Sequence, residues 1–126
     1  MAVIGVRGWV FDLDGTLTVA QHDFAGIKRR LGLPADLPVL EGIAARPLDQ
    51  RQGLLDAVAA WEEALADQAR QSPGAHALLS ALAAAGTPIG VLTRNARPTA
   101  LRTLRAAGLE GFIPDDRVLG RDEAAP

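Results

Sequence analysis

Two short apolar runs that do not alternate with polar residues limit what this chain can fold into more than any other feature. Gly8-Trp9-Val10-Phe11-Asp12 and Pro88-Ile89-Gly90-Val91-Leu92-Thr93 have the pattern of strands buried on both faces, as in parallel sheets. A third short strand is expected near Val118-Leu119-Gly120. Helical signals fill the intervals. Ser72-Pro73-Gly74 reads as a helix start, with Ser72 as N-cap and Pro73 at the first helical position. Ala75, Leu78, Leu79 and Leu82 then recur at helical spacing, and Gly86 marks the stop. Asn95 reads as the cap of a further helix carrying Leu101 and Leu104 and ended by Gly108. Strands alternating with helices are the grammar of an α/β fold, a parallel sheet with crossover helices.

Between Thr18 and Gln71 the pattern changes. Phe24, Ile27 and Leu31 mark one short amphipathic helix, and Leu33 to Arg46, with Pro34, Pro38 and Gly42, reads as a loop. Leu54, Val58, Trp61 and Leu65 predict a longer helix over roughly residues 48–70. The expected organisation is an α/β core of residues 1–17 and 72–126, with a helical insertion over residues 18–71.

Composition excludes several classes of function. The formal net charge of -2 lacks the basic excess of a nucleic-acid binder. With no cysteine there is no disulfide framework and no thiolate metal site. No apolar run approaches the ~20 residues that cross a bilayer, and Met1 to Val6 lacks the basic start of a secretory signal. The expectation is a soluble, cytoplasmic chain with neither nucleic-acid nor membrane partners.

The chemistry gathers at the ends of the two strands. Asp12 and Asp14 follow the first strand at its carboxyl end, where sites form in parallel sheets. Two carboxylates so close repel, and a divalent cation relieves the repulsion; Mg²⁺ takes one or two carboxylates with waters and a phosphate. One carboxylate can then act as nucleophile and the other as proton carrier. Thr93 ends the neighbouring strand, from which its hydroxyl could donate to a phosphate oxygen.

Phe11-Asp12-Leu13-Asp14-Gly15-Thr16-Leu17-Thr18 resembles the first signature of the haloacid dehalogenase superfamily, phosphatase branch. Val91-Leu92-Thr93-Arg94-Asn95 is similar to its second signature. The interval between them resembles members with a cap domain after the first strand, such as phosphoglycolate phosphatases. The resemblance implies a Rossmann-like, three-layer parallel sheet, here partial, with residues 18–71 as a small helical cap. It also implies a Mg²⁺-dependent phosphatase of small phosphorylated metabolites. Asp12 would form an aspartyl phosphate and Asp14 would protonate the leaving oxygen, then activate water. Mg²⁺ would be held by the Asp12 carboxylate and the Asp14 main-chain carbonyl, with Thr93, Arg94 and Asn95 on the phosphate.

Two elements of the family pattern have no counterpart here. The family's third signature is a lysine, and the only lysine in this chain is Lys28, within the insertion. The fourth is an acidic pair on a later strand, for which neither Asp115-Asp116 nor Asp122-Glu123 is a substitute. In relatives, a stretch like Val118 to Pro126 leads directly into the lysine. Without the insertion about 70 residues remain, near the lower limit for a self-supporting core. Were Pro126 the true end, Val10 and Phe11 would lie on an exposed, apolar sheet edge; the expectation is therefore an incomplete chain, inactive by itself. The alternatives are a non-catalytic phosphate- or metal-binding remnant and an interaction domain. A phospho-acceptor receiver is disfavoured, because the second strand ends in Thr93 and no late lysine exists. His22, Arg46 and Arg51 are weaker candidates for substrate contact, better explained as surface residues.

Overall fold

The structure, a computed structural model, describes residues 2–4, as backbone, and 8–122. Its elements run β1 (Ala2–Ile4), β2 (Gly8–Phe11), α1 (Phe24–Leu31), α2 (Val39–Ala44), α3 (Leu48–Asp67), α4 (Ala75–Ala84), β3 (Ile89–Leu92), α5 (Arg97–Ala106) and β4 (Val118–Leu119). Two 3-10 turns, Glu110–Phe112 and Asp115–Arg117, lie between α5 and β4.

The sheet has the order β1-β2-β3-β4. Strands β2, β3 and β4 are parallel, with Phe11 opposite Val91 and Val91 opposite Val118. This is the α/β class expected from the apolar runs. Strand β1 was not anticipated. It pairs antiparallel to β2, with Ala2 opposite Val10 and Ile4 opposite Gly8. The β2 edge expected to lie open is therefore covered by the chain's own N-terminal residues, which satisfies backbone groups an edge strand would leave unpaired.

One face of the sheet carries the core. Phe11, Ile89, Val91 and Val118 pack with Leu79 of α4 and with Ala100 and Leu104 of α5, all buried. Leu92 and Leu119, paired in register, remain exposed. In α4 the burial falls on Ala75 and Leu79, whereas Leu78 is exposed. Leu79→Ala is expected to cost about 2–5 kcal/mol of stability through a cavity beneath the sheet. Chemical denaturation checks this, and a loss below 1 kcal/mol, roughly the surface-substitution range, would contradict it.

Two helix starts differ from expectation. Helix α4 begins at Ala75 with Gly74 as cap, and Ser72 makes no side-chain cap. The Ser72 backbone N–H instead donates to the Leu17 carbonyl at 2.9 Å, so the residue belongs to a bridge between two chain segments. Helix α5 is capped by Ala96, not Asn95; the Asn95 side chain is engaged elsewhere. Gly86 and Gly108 follow α4 and α5 as expected, and the next residues, Thr87 and Leu109, donate back to Leu82 and Leu104.

The described chain forms two compact units, residues 22–64 and the remainder. The sequence reading drew the boundaries at 17/18 and 71/72; the structure divides at 21/22 and 64/65. Backbone pairing explains the difference. Val19 N–H donates to the Arg70 carbonyl at 3.0 Å, and Thr18 bridges Gln71, which ties both flanks of the insertion into the α/β unit. Within residues 22–64, Leu33, Ile43 and Val58 form a small separate core joined by Leu31, Val39, Leu54 and Trp61. Helix α2 lies in the stretch expected to be a loop. It starts after Pro38, and its Gly42 lies close against Leu33 and Pro34, so tertiary packing supports a helix too short to be stable alone.

No helix among the described residues is long and apolar enough to cross a membrane. Glu123 of the Asp122-Glu123 pair lies outside the described residues; Asp115 and Asp116 sit exposed in a 3-10 turn.

Candidate active site

The candidate site is built on a turn that begins where β2 ends. Leu13 is wholly buried, which turns the aspartates on either side of it away from the core: Asp12 is exposed and Asp14 half-buried. Both lie beyond Phe11, the last strand residue, so Asp14 is in the turn. The Leu13 carbonyl organises that turn. It accepts the backbone N–H groups of Thr16, Leu17 and Thr18 at 3.2, 2.9 and 3.1 Å. Gly15 has φ of 82°, a backbone region that is unstrained only for glycine, and its N–H donates to the Thr18 carbonyl at 2.8 Å.

Each carboxylate has its own partners. Asp12 Oδ1 accepts from the Leu13 N–H at 2.9 Å. Asp14 Oδ2 accepts from the Asn95 side-chain amide, Nδ2, at 2.6 Å, and the Thr18 hydroxyl lies 3.5 Å from Asp14 Oδ1. Thr18 is buried and its hydroxyl also donates to the Leu13 carbonyl at 3.3 Å.

Strand β3 delivers the second half of the site. Thr93 follows its last residue and is buried; its backbone N–H donates to the Leu119 carbonyl at 3.0 Å, which continues the parallel ladder. The Thr93 hydroxyl oxygen accepts from the Asn95 N–H at 3.2 Å, which leaves its proton to donate. Arg94 is exposed, and among the described residues no hydrogen bond or ion pair joins it to Asp12 or Asp14. The structure thus links Asp14, Thr93 and Asn95 by hydrogen bonds, with Asp12 on the same turn as Asp14.

The other candidates are engaged within residues 22–64. Arg46 donates to the Gly32 carbonyl at 2.9 Å and to Gln50 at 3.1 Å, and Arg51 donates to the Arg46 carbonyl at 2.8 Å. His22 stacks on Phe24, and both meet Trp61 edge-on.

Sequence reasoning missed Thr18 and Gly120. Thr18 ended the first signature without a role. Gly120 is buried, and a Cβ placed there would lie 2.5 Å from the Arg97 backbone nitrogen and 2.7 Å from the Asn95 carbonyl oxygen. No local sequence signal reveals so close an approach.

The donor chemistry fits Mg²⁺. Asp12 and Asp14 offer the hard oxygen atoms that ion selects. Among the described residues no group of three or more His, Cys, Asp or Glu side chains gathers.

Comparison with known proteins bears on family and fold. A haloacid dehalogenase-like hydrolase domain-containing protein of Arabidopsis thaliana is 31% identical over 101 residues, which are 71% of this chain and 41% of that protein. A haloacid dehalogenase-like hydrolase from Streptococcus pneumoniae superposes with a TM-score of 0.65 at 21% identity, covering 96% of this chain and 62% of the other. A hydrolase of the same family from Deinococcus radiodurans, solved with bound phosphate and sodium, has a TM-score of 0.59 at 23% identity, covering 92% and 58%. At these identities the structural likeness is one of fold. The chain spans about two fifths of the curated relative's length and about three fifths of each solved structure's. The model of the haloacid dehalogenase-like hydrolase family matches residues 6–126. Matched over nearly its whole length, the chain belongs to that family.

Proposed function

We propose that this protein is a Mg²⁺-dependent phosphatase of small phosphorylated metabolites, working through a phosphorylated aspartate. The observation that carries the proposal is the placing of Asp12 and Asp14 at the carboxyl end of β2 while Thr93 stands at the carboxyl end of the parallel neighbour β3. The neighbouring strand ends then supply a nucleophile, a proton carrier and a hydroxyl donor.

Asp12 is the nucleophile. Its Oδ1 is held by the Leu13 N–H, which leaves the other oxygen to attack phosphorus in line with the departing ester oxygen. The P–O bond to the leaving group breaks as the bond to Asp12 forms. Protonated Asp14 gives its proton to the leaving oxygen, so an alcohol departs rather than an alkoxide. Asp14, now a carboxylate, takes a proton from water as the water attacks phosphorus and frees Asp12. Thr93 donates to a phosphoryl oxygen, with Arg94 beside it as a further cationic contact. Mg²⁺, held by the Asp12 carboxylate and the Asp14 carbonyl, would supply charge compensation between nucleophile and phosphoryl group, the largest demand of such transfers. Residues 22–64 are the candidate cap, on their position after the first signature.

The test is release of inorganic phosphate from a panel of small phosphate esters by the complete protein, with and without Mg²⁺. Turnover that falls by about 10³-fold or more on chelation, and returns with Mg²⁺, is the expected result. Phosphate or Mg²⁺ binding with no hydrolysis of any ester would replace this reading with that of a non-catalytic binding domain.

A further inference from the structure

Asn95 fits two different roles: a side chain on the phosphate, or a side chain on Asp14. Three bonds decide between them. Its amide Nδ2 donates to Asp14 Oδ2 at 2.6 Å. Its backbone N–H donates to the Thr93 hydroxyl oxygen at 3.2 Å. Its carbonyl accepts from the Arg121 N–H at 2.9 Å. Gly120 packs against that same carbonyl and against the Arg97 nitrogen, so the backbone of Asn95 is held from the β4 side while its side chain reaches β2.

The geometry points to Asn95 as the positioning residue of Asp14, fixing the carboxyl group that carries protons rather than binding the transferred phosphate. The inference rests on the phosphatase reading for its catalytic meaning, but the contact itself stands on geometry alone. At 2.6 Å the amide donor on one carboxyl oxygen makes a short hydrogen bond, and it spans 81 residues of sequence. The Thr18 hydroxyl, 3.5 Å from the other carboxylate oxygen, limits rotation from the opposite side. An amide committed to this bond has one remaining N–H. The donor for the phosphate is then the Thr93 hydroxyl, whose oxygen is already occupied as an acceptor by the Asn95 N–H. Asn95 thereby orients two functional groups without touching substrate: Asp14 through its side chain, Thr93 through its backbone.

Two measurements on the complete protein test this. The first does not need turnover. In ¹⁵N-labelled protein the Asn95 side-chain amide resonances are identified by their loss in Asn95→Ala. They are expected to move in Asp14→Ala and to stay in place when inorganic phosphate is added. The second is affinity for inorganic phosphate with Mg²⁺ present. Asn95→Ala is expected to leave it within about twofold, whereas Thr93→Val weakens it about tenfold, the loss typical of a hydrogen bond to a charged group. In turnover, Asn95→Ala is expected to lower kcat about ten- to a hundredfold, as small misplacements of a catalytic group do, with KM little changed. The loss should be largest for alkyl phosphates in single-turnover release and smallest for dinitrophenyl phosphate, whose leaving group departs without a proton.

Amide resonances indifferent to Asp14→Ala would overturn the inference. So would an about tenfold loss of phosphate affinity in Asn95→Ala, the signature of a direct phosphate contact. A complete protein that hydrolyses no ester while its Asn95 resonances still depend on Asp14 would remove the phosphatase reading and leave the contact standing.

Discussion

In the complete protein, Asp12→Asn is expected to abolish phosphate release, lowering kcat by about 10³-fold or more, the scale seen when a sole nucleophile is removed. The carboxamide has nearly the same shape but no anionic oxygen to attack phosphorus. Its oxygen can still accept the Leu13 N–H, the bond that Asp12 Oδ1 makes at 2.9 Å, so the turn retains its geometry. Because Asp12 is exposed, stability should stay within about 0.5 kcal/mol of wild type. Turnover of the best ester in the panel and the denaturation midpoint, measured on the same preparation, check both halves. Residual turnover near the wild-type rate would remove Asp12 as nucleophile. Lost activity accompanied by lost structure would move the explanation from chemistry to folding.

Gly120→Val is expected to damage the fold and the candidate site together. The new Cβ would meet the Arg97 nitrogen at 2.5 Å, the Asn95 carbonyl oxygen at 2.7 Å and the Arg97 Cα at 2.9 Å. All three are backbone atoms, so no side chain can rotate away. Relief requires moving either the turn after β4 or the loop that joins β3 to α5. Arg97 resists the second movement, because its guanidinium donates to the Val118 carbonyl at 3.1 Å and the Asp115 carbonyl at 2.6 Å. Overpacking of this kind costs about 1–3 kcal/mol or more. The loop that moves also carries Thr93 and Asn95, so phosphate affinity and kcat should fall together. Gly111→Ala is the matched control: nothing lies within 4 Å of its Cβ position, and its effect should stay near or below about 1 kcal/mol. Equal denaturation curves for the two variants would show that the close approach at Gly120 is not a constraint.

Strand, turn and helix were legible in the sequence wherever the cause is local. Gly8–Phe11 and Ile89–Leu92 are legible as strands from their unbroken apolar runs, but burial on both faces, expected from the same runs, is not found: Val10 and Gly90 are half-buried and Leu92 is exposed. Helices α1 and α3 follow from apolar residues at helical spacing, and the family from an eight-residue turn whose side chains are contiguous. Helix α2 and strand β1 were not legible. A six-residue helix and a three-residue strand carry too little pattern, and each exists through what it packs or pairs with.

The same division holds at the site. Sequence alone determined that Asp12 and Asp14 share a turn and that Thr93 ends a strand, because those relations are set over a few residues. Only the tertiary structure decided what Ser72 and Asn95 do. Both are good helix caps by residue type, yet neither caps a helix: the Ser72 backbone N–H pairs with the Leu17 carbonyl, and the Asn95 side chain is drawn to Asp14. Cap preference is worth about 1 kcal/mol, whereas an ionised carboxylate accepting a hydrogen bond is worth about 1.5–3 kcal/mol. The parallel pairing of β2 and β3 brings Asp14 within reach of Asn95. That proximity is a property of the sheet, and no stretch of the sequence contains it.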